Sequence, residues 1–184
     1  MRHHLRTIMS YTQQGKYQEM MEYLQEYASV ITEEEKLICY CRNMAVDAVI
    51  HFYAGELREK GIPFECDMML PQNIGISDTD LCKIYGNLLE NAVDAVKDLL
   101  PENKPYVKML TKVKNRKLLI EISNPYSNEI QRREKVFYST KHEGFGIGTA
   151  SVAEVVQRMG GYVVFNTEEG IFKVNIFLPV KTVQ

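Results

Sequence analysis

The stretch from Asn87 to Ala95 constrains the fold most strongly, because one predicted helix there carries an apolar stripe beside a polar one. The apolar stripe consists of Leu81, Ile84, Leu88, Ala92 and Ala95, and the polar stripe of Asn87, Asn91, Asp94 and Asp98. Asparagine is a poor helix former, so two of them one turn apart need a reason. One interpretation is a pair of solvated amides. The other is a magnesium and phosphate site, because an amide oxygen is a hard, neutral ligand that suits Mg²⁺.

The composition is that of an ordinary globular chain. The sequence has 184 residues, 45% of them hydrophobic and 25% charged, which is enough for one core and a small appendage. A net charge of −2 predicts no nucleic-acid partner. No apolar run approaches the length of a membrane span, and no signal peptide is visible. The four cysteines lack metal-ligand and Cys-x-x-Cys spacing, which predicts reduced thiols in the cytoplasm.

The first part of the chain predicts a helical hairpin. Apolar residues recur at helical spacing on both sides of Gly15. A hairpin of about 30 residues has too little core to stand alone, so a second copy is the expected partner. We therefore predict a dimerising hairpin over residues 1–30 and a separate domain over residues 31–184. The expected dimer contacts are Leu5, Ile8, Met9, Met20, Met21 and Leu24.

The remaining pattern predicts helices that alternate with strands. A capped helix is expected from Thr32 to Gly61, and the Asn-bearing helix should begin at Ser77 or Asp78 and end near Leu100. The first of these should turn one face to the core: Leu37, Cys41, Met44, Ala45, Ala48, Val49, Phe52 and Leu57. Strands are predicted over Ile62–Asp67, Tyr106–Val113, Lys117–Ser123, Tyr162–Asn166 and Ile171–Leu178.

A second motif follows a long polar connection. Residues 125–143 have few apolar anchors and predict a mobile lid. The glycine-rich run 144–148 then opens a helix that Gly160 and Gly161 close. Bare backbone N–H groups at a helix start can bind phosphate. The dinucleotide fold is disfavoured because no strand directly precedes the glycines, and a P-loop because no Lys-Ser/Thr follows them.

Together the two motifs resemble a known superfamily. Asn87-Leu88-Leu89-Glu90-Asn91-Ala92 resembles the N box, and Gly144-Phe145-Gly146-Ile147-Gly148 the second glycine box, of the GHKL superfamily of gyrase, heat-shock chaperone, histidine kinase and MutL ATPases. The chain is most similar to sensor histidine kinases of the peptide-pheromone, or quorum-sensing, class; the points of similarity are Arg2-His3, Ser139-Thr140-Lys141 and Asn124-Pro125. The resemblance covers nearly the whole chain. It implies a two-layer α/β sandwich of the Bergerat type, with a mixed sheet under three helices and ATP held between the Asn helix and the lid.

The resemblance also implies roles for individual residues. Asn91 would bind Mg²⁺, with Asn87 as its helical partner and Asp94 on the same nucleotide-facing stripe. Asn124 stands where most relatives carry an adenine-reading Asp. Lys141 would meet the terminal phosphates of ATP. The backbone of three glycines would wrap those phosphates: Gly144, Gly146 and Gly148.

The hairpin would carry the phosphoacceptor. The resemblance makes His3 the acceptor and Thr7 the residue that orients water for dephosphorylation, while His4 stands in place of the usual acidic residue. Two alternatives stay open: His4 as acceptor, which would put Ile8 at the water-orienting position, or a histidine upstream of Met1. The expected partner is a response regulator. A membrane-embedded sensor is expected upstream, so the chain is interpreted as the cytoplasmic fragment of a longer protein.

Three rival functions come from other classes. A hydrolytic ATPase clamp needs a water-activating Glu four residues before the metal Asn, and Asn87 at that position cannot act as a base. A serine kinase similar to anti-sigma factors lacks a histidine hairpin, so the predicted hairpin disfavours it. A pseudokinase that binds nucleotide without phosphotransfer stays open because of His4.

Overall fold

The computed structural model describes residues 2–27, 38–126 and 147–180, and the side chains of all these except 2–6, 24–27 and 147. Two compact units divide the chain, residues 1–38 and residues 39–184, and each is described by itself. The predicted boundary between residues 30 and 31 falls outside the described residues. No helix within the described ranges is long and apolar enough to cross a membrane.

The first unit is a hairpin of two helices, α1 (Arg2–Gln13) and α2 (Tyr17–Tyr27). Gly15 lies in the turn with φ +66°, a left-handed value that glycine adopts without strain. The ring of Tyr11 meets that of Tyr23 edge to face at 6.1 Å, so the two arms contact each other. The predicted pair of helices is confirmed.

The second unit is a two-layer α/β sandwich. Its elements in chain order are α3 (Met44–Glu59), β1 (Phe64–Met69), α4 (Asp78–Val96), a 3-10 turn (Pro101–Asn103), β2 (Val107–Lys114), β3 (Lys117–Pro125), α5 (Ile147–Arg158), β4 (Tyr162–Glu168) and β5 (Ile171–Pro179). The sheet order is β1-β2-β3-β5-β4; β1 runs parallel to β2, and the other pairs are antiparallel. The mixed sheet under three helices confirms the predicted fold.

The sheet buries one face only. Leu118, Ile120 and Ile122 alternate along β3 and are buried beneath the helices. On the opposite face, Lys173 of β5 forms an ion pair with Glu121 of β3 at 2.8 Å. Strand side chains alternate between faces, so this arrangement puts the core between the sheet and the helix layer.

Helix α4 lies at the centre of the helix layer and packs against α3, α5 and the sheet. Ser77 caps it, since its hydroxyl accepts from the N–H of Asp80 at 3.1 Å. The helix ends at Val96, four residues before the predicted end, and Ala95 is half-buried where a core position was expected. Pro101 prevents the helix from continuing through Leu100, because a residue before proline favours extended backbone and Leu100 has ψ 149°.

The predicted start of α3 is wrong within the described residues. Residues 38–43 are not helical, and α3 begins at Met44 with Asn43 as its cap. The carboxylate of Asp47 accepts from the backbone N–H groups of Tyr40 at 2.8 Å and Cys41 at 3.0 Å. These two hydrogen bonds hold an extended segment against α3. The same segment in a helical conformation could not make them. The predicted residues 32–37 lie outside the described ranges.

The predicted core face of α3 is also wrong in part. Ala48 is exposed, Met44 is 80% exposed and Phe52 is 63% exposed. Leu57 is buried as predicted, but the other buried residues of the helix are Val46, Ile50 and Ala54. These buried residues form the face that α3 packs against α4 and β1. The predicted apolar stripe began at Leu37. The helix starts later, at Met44, and a different face of it packs inward.

The other predicted elements agree with the structure apart from their ends. Strand β1 lies two residues later than predicted, and its place at the edge of the sheet explains why Pro63 is tolerated beside it. Asn115 and Arg116 have φ of 52° and 59° in the turn between β2 and β3. Gly61 with φ +66° ends α3, as predicted, and Gly160 with φ +72° ends α5. The predicted lid lies outside the described residues beyond Tyr126.

Candidate nucleotide and metal site

The start of α5 meets the asparagine pair of α4. A Cβ atom added to Gly148 would lie 3.2 Å from Oδ1 of Asn87 and 3.2 Å from both amide atoms of Asn91. Only a glycine therefore lets the two helices approach so closely without displacing the amides. This contact brings the asparagine pair of the first predicted motif together with Gly148, the last residue of the second.

The amide of Asn87 is oriented by its own helix. Its Nδ2 donates to the backbone oxygen of Lys83 at 2.6 Å. Because the nitrogen is held against α4, the oxygen is turned away from that bond and lies beside Gly148. Asn87 thus presents a hard acceptor oxygen at the start of α5.

The amide nitrogen of Asn91 is buried, and it has no hydrogen-bond partner among the described residues. An unsatisfied buried donor costs about 1–3 kcal/mol of folding free energy, so a group of this kind calls for a partner. A ligand rich in oxygen would satisfy it: phosphate oxygens accept from the nitrogen, and Mg²⁺ binds the amide oxygen. The residues present therefore fit a magnesium-bound phosphate.

The N-terminus of α5 adds a favourable electrostatic field. Backbone N–H groups in the first turn of a helix have no partner within the helix and carry partial positive charge. Helix α5 has no acidic residue in its first turn that would compete for this charge. Thr149, which sequence reasoning missed, is buried at 9% exposure directly after Gly148. Its only sequence signal is its place as the first polar side chain after the glycines.

Asn124 lies near the end of β3, buried at 1% exposure. Its Nδ2 donates to the backbone oxygen of Pro125 at 2.9 Å. That bond engages one N–H of the amide and fixes its orientation. The other amide atom, Oδ1, is the kind of acceptor that a purine amino group needs.

Asp94 lies farther along α4, exposed to solvent. Its carboxylate accepts from Nζ of Lys97 at 2.7 Å, and this hydrogen bond raises the pKa of Lys97. The structure thus places Asp94 in a surface ion pair, and its predicted role toward nucleotide stays a prediction.

The remaining predicted residues lie either in the first unit or in ranges that the structure does not describe. His3 and His4 lie on α1, but their side chains are outside the described set; Thr7 lies on the same helix and is half-buried. Lys141, Gly144 and Gly146 fall in residues 127–146, which are also outside it.

Comparison with known families identifies a domain family that covers most of the second unit. The model of a family described as GHKL domain matches residues 76–179, which is more than half of the chain. The sensor protein CitS of Bacillus subtilis (strain 168) is 26% identical over 186 residues, which cover 95% of this chain and 33% of that protein. The chain therefore spans about a third of the length of this curated relative.

Solved structures share the fold at low sequence identity. The catalytic domain of the histidine kinase ThkA has a TM-score of 0.56 at 18% identity, over 74% of this chain and 92% of that one. The mycobacterial sensor histidine kinase MprB has a TM-score of 0.52 at 20% identity, over 76% and 95%. Full-length ShkA in complex with AMPPNP has a TM-score of 0.55 at 20% identity, over 76% and 30%.

Proposed function

The chain belongs to the GHKL domain family, and from this premise we propose that it binds ATP with Mg²⁺ as the catalytic part of a sensor histidine kinase. One observation carries the proposal: two asparagine amides meet the backbone of Gly148, and one of them has a buried nitrogen without a partner among the described residues. The names of the relatives agree with it, since CitS is a sensor protein and ThkA a histidine kinase.

The site residues contact different parts of the bound nucleotide. The Oδ1 of Asn91 binds Mg²⁺, and the Oδ1 of Asn87 faces the same place beside the phosphates. The backbone N–H of Gly148 donates to a phosphate oxygen, with Gly144, Gly146 and Lys141 on the side of the lid. Bound Mg²⁺ supplies charge neutralisation and alignment of the triphosphate. Asn124 accepts from the amino group of adenine, and Asp94 borders the site.

The reaction is transfer of the γ-phosphoryl group to a histidine, His3 in the first instance. A neutral imidazole nitrogen forms a bond to the γ-phosphorus while the bond from that phosphorus to the β,γ-bridging oxygen breaks, and ADP leaves with the electron pair. The ring proton passes to a nearby base or to water, and His4 is the nearest candidate base in the sequence. A response regulator then accepts the phosphoryl group on an Asp.

Incubation with γ-labelled ATP and Mg²⁺, followed by an acid-lability test, examines this reaction. The label should be acid-labile, and His3→Gln should lose it while ATP binding is retained. Loss in His4→Gln with retention in His3→Gln would move the acceptor by one residue. Label that forms only in a longer protein would place the acceptor before Met1.

A pseudokinase is the second candidate, because His4 stands where the resembling kinases carry an acidic residue. It would bind ATP and dimerise without transferring phosphate. Absence of label even in a longer protein, together with normal ATP binding, would favour it over the kinase.

In the whole protein, this chain would lie on the cytoplasmic side of a membrane. The proposal includes a membrane-embedded sensor upstream of Met1, of the peptide-pheromone class, and a homodimer formed through the hairpin. Exposed Met9, Tyr17 and Met21 on the hairpin support the dimer, because water-exposed apolar side chains favour a partner surface.

A further inference from the structure

A groove of about 640 Å³ opens where α3 and α4 end and where β1 and β2 begin. Its apolar lining includes Ile62, Val96 and Leu99. Three prolines also line it, and their fixed φ angles make the walls rigid: Pro63, Pro101 and Pro105. None of the candidate nucleotide residues in the described ranges lines this groove.

The groove has an excess of positive charge. Its lining contains one carboxylate, Glu65, and four lysines, each from a different part of the fold: Lys60, Lys97, Lys104 and Lys108. Lys97 pairs with Asp94 at 2.7 Å and Lys108 with Glu65 at 2.9 Å. Across the described part of the chain, the side chains of Lys60 and Lys104 have no ion pair. We call this feature the lysine groove.

Helix dipoles explain only some of these lysines. Lys60 and Lys97 follow the ends of α3 and α4, where a cation offsets the partial negative charge of the last carbonyls. Lys104 follows a short 3-10 turn at φ +47°, a left-handed conformation that costs a lysine free energy, and Lys108 lies within β2. Lys108 is neutralised by Glu65, whereas the ammonium group of Lys104 has no ion pair across the described part of the chain and is available to an anion of a partner.

The orientation of the same two helix ends favours one kind of anion over another. A compact phosphate is best bound by backbone N–H groups, but α3 and α4 turn their carbonyl ends to this groove. Lysine side chains are long enough to hold their ammonium groups away from those carbonyls and to meet carboxylates spread along a chain. The apolar lining offers room for an uncharged side chain between the carboxylates.

We propose that the lysine groove binds an acidic peptide segment of a partner protein, with carboxylates at Lys60 and Lys104 and an apolar side chain against Ile62 and Leu99. This site goes beyond the proposed nucleotide function and does not depend on it. Interactions of this kind weaken as salt screens the charges.

Fluorescence anisotropy with a short labelled peptide of alternating glutamate and leucine tests the proposal on the full chain. The wild type should bind the peptide saturably, and the affinity should fall as salt is added. The double variant Lys60→Glu/Lys104→Glu should bind at least about tenfold more weakly. The matched variant Lys114→Glu/Lys117→Glu makes the same charge change on two exposed residues that flank the β2–β3 turn and should change affinity less than about twofold.

Two further measurements identify the site. Lys104→Gly removes the ammonium group at a position whose φ favours glycine, so weaker binding there reports the lost charge and not a lost fold. Peptide-induced amide shifts should centre on Ile62, Leu99 and Tyr106, and Asn91→Ala should bind the peptide normally.

Three results would overturn the proposal. One is the absence of saturable peptide binding up to about 1 mM, the weak end of specific recognition. Another is an equal loss of affinity in the two double variants. The third is displacement of the peptide by inorganic phosphate at constant ionic strength, because that would assign the groove to a small anion.

Discussion

Two asparagines in the second unit differ in how their amides are satisfied. The Nδ2 of Asn43 donates to the backbone oxygen of Gln72 and to Asp78, both at 3.0 Å, and its Oδ1 accepts from the N–H of Val46. The buried Nδ2 of Asn91 has no such partner in the described ranges. Asn43 therefore stabilises the fold, whereas Asn91 costs stability that a ligand can recover.

Replacing each asparagine by alanine should separate these roles. Asn43→Ala should lower the free energy of unfolding by about 1–3 kcal/mol, because it removes the cap of α3 and leaves the N–H of Val46 unsatisfied. Asn91→Ala should leave the stability of the ATP-free protein unchanged or raise it by up to about 1 kcal/mol. Urea unfolding without nucleotide measures both. Equal destabilisation by the two changes would make Asn91 a structural residue.

The sequence contains a local pattern that singles out Asn91, but none that indicates the distant partners of Asn43. Two poor helix formers one turn apart are a local pattern, and Asn87 and Asn91 form such a pair. The two partners of the Asn43 Nδ2 lie 29 and 35 residues away in the chain, so no local pattern indicates them.

Two helical glycines, Gly86 in α4 and Gly148 in α5, have opposite surroundings. A Cβ added to Gly86 in α4 would meet nothing within 4 Å, whereas one added to Gly148 in α5 would press on the asparagine amides. Gly86→Ala should therefore raise the free energy of unfolding by about 0.5–1 kcal/mol and leave ATP affinity unchanged. Gly148→Ala should weaken ATP binding at least about tenfold, because the new methyl group enters the predicted phosphate position.

Thermal unfolding and titration with ATP measure the two effects, and Gly86→Ala serves as the control for the chemical change itself. Normal ATP affinity in Gly148→Ala would contradict the contact between α4 and α5 as a nucleotide site.

Elements with a complete local signal were predicted well. Helix α4 has a capping serine and a regular apolar stripe, and the β2–β3 hairpin has alternating strands around a polar turn. Helix α3 was predicted poorly, because its start depends on the carboxylate of Asp47 holding Tyr40 and Cys41 extended. Thr32-Glu33-Glu34-Glu35 offered a plausible local start, and no pattern in the sequence indicates the competing bonds.

Two buried thiols should make the stability of the whole fold decrease at alkaline pH. Burial raises the pKa of Cys66 from 9.0 to about 12, and that of Cys41 from 9.0 to about 11. The folded state thus holds these protons more tightly than the unfolded state. Their contribution to stability is complete below pH 9 and is lost as pH rises through the folded values.

Cys66→Ala should therefore make stability fall less steeply above pH 9 than it does in the wild type. Urea unfolding at several pH values from 9 to 11 measures the slope. Met68→Ala is the control, since it removes a half-buried side chain from the same face of β1 without removing a titrating group. An unchanged slope in Cys66→Ala would exclude the thiol as the cause.

The hairpin should control association. Met9 is 60% exposed and Met21 48% exposed on the two arms, so Met9→Glu/Met21→Glu should weaken a dimer at least about tenfold by placing charges in the contact. Met69→Glu changes a similarly exposed methionine of the second unit and should leave association unchanged. Sedimentation equilibrium measures the monomer fraction. The same fraction in all three proteins would count against dimerisation through the hairpin.

Titration calorimetry of ATP binding, with and without Mg²⁺, tests directly whether Asn91 binds the metal of a nucleotide complex. The wild type should give saturable heat that depends on Mg²⁺, and so should the control Asn175→Ala, which changes an asparagine of β5 outside the helix layer. Asn91→Ala should lose this heat while its unfolding transition stays cooperative, because the ligand oxygen for Mg²⁺ is gone. Wild-type ATP affinity in Asn91→Ala would contradict the assignment of the site.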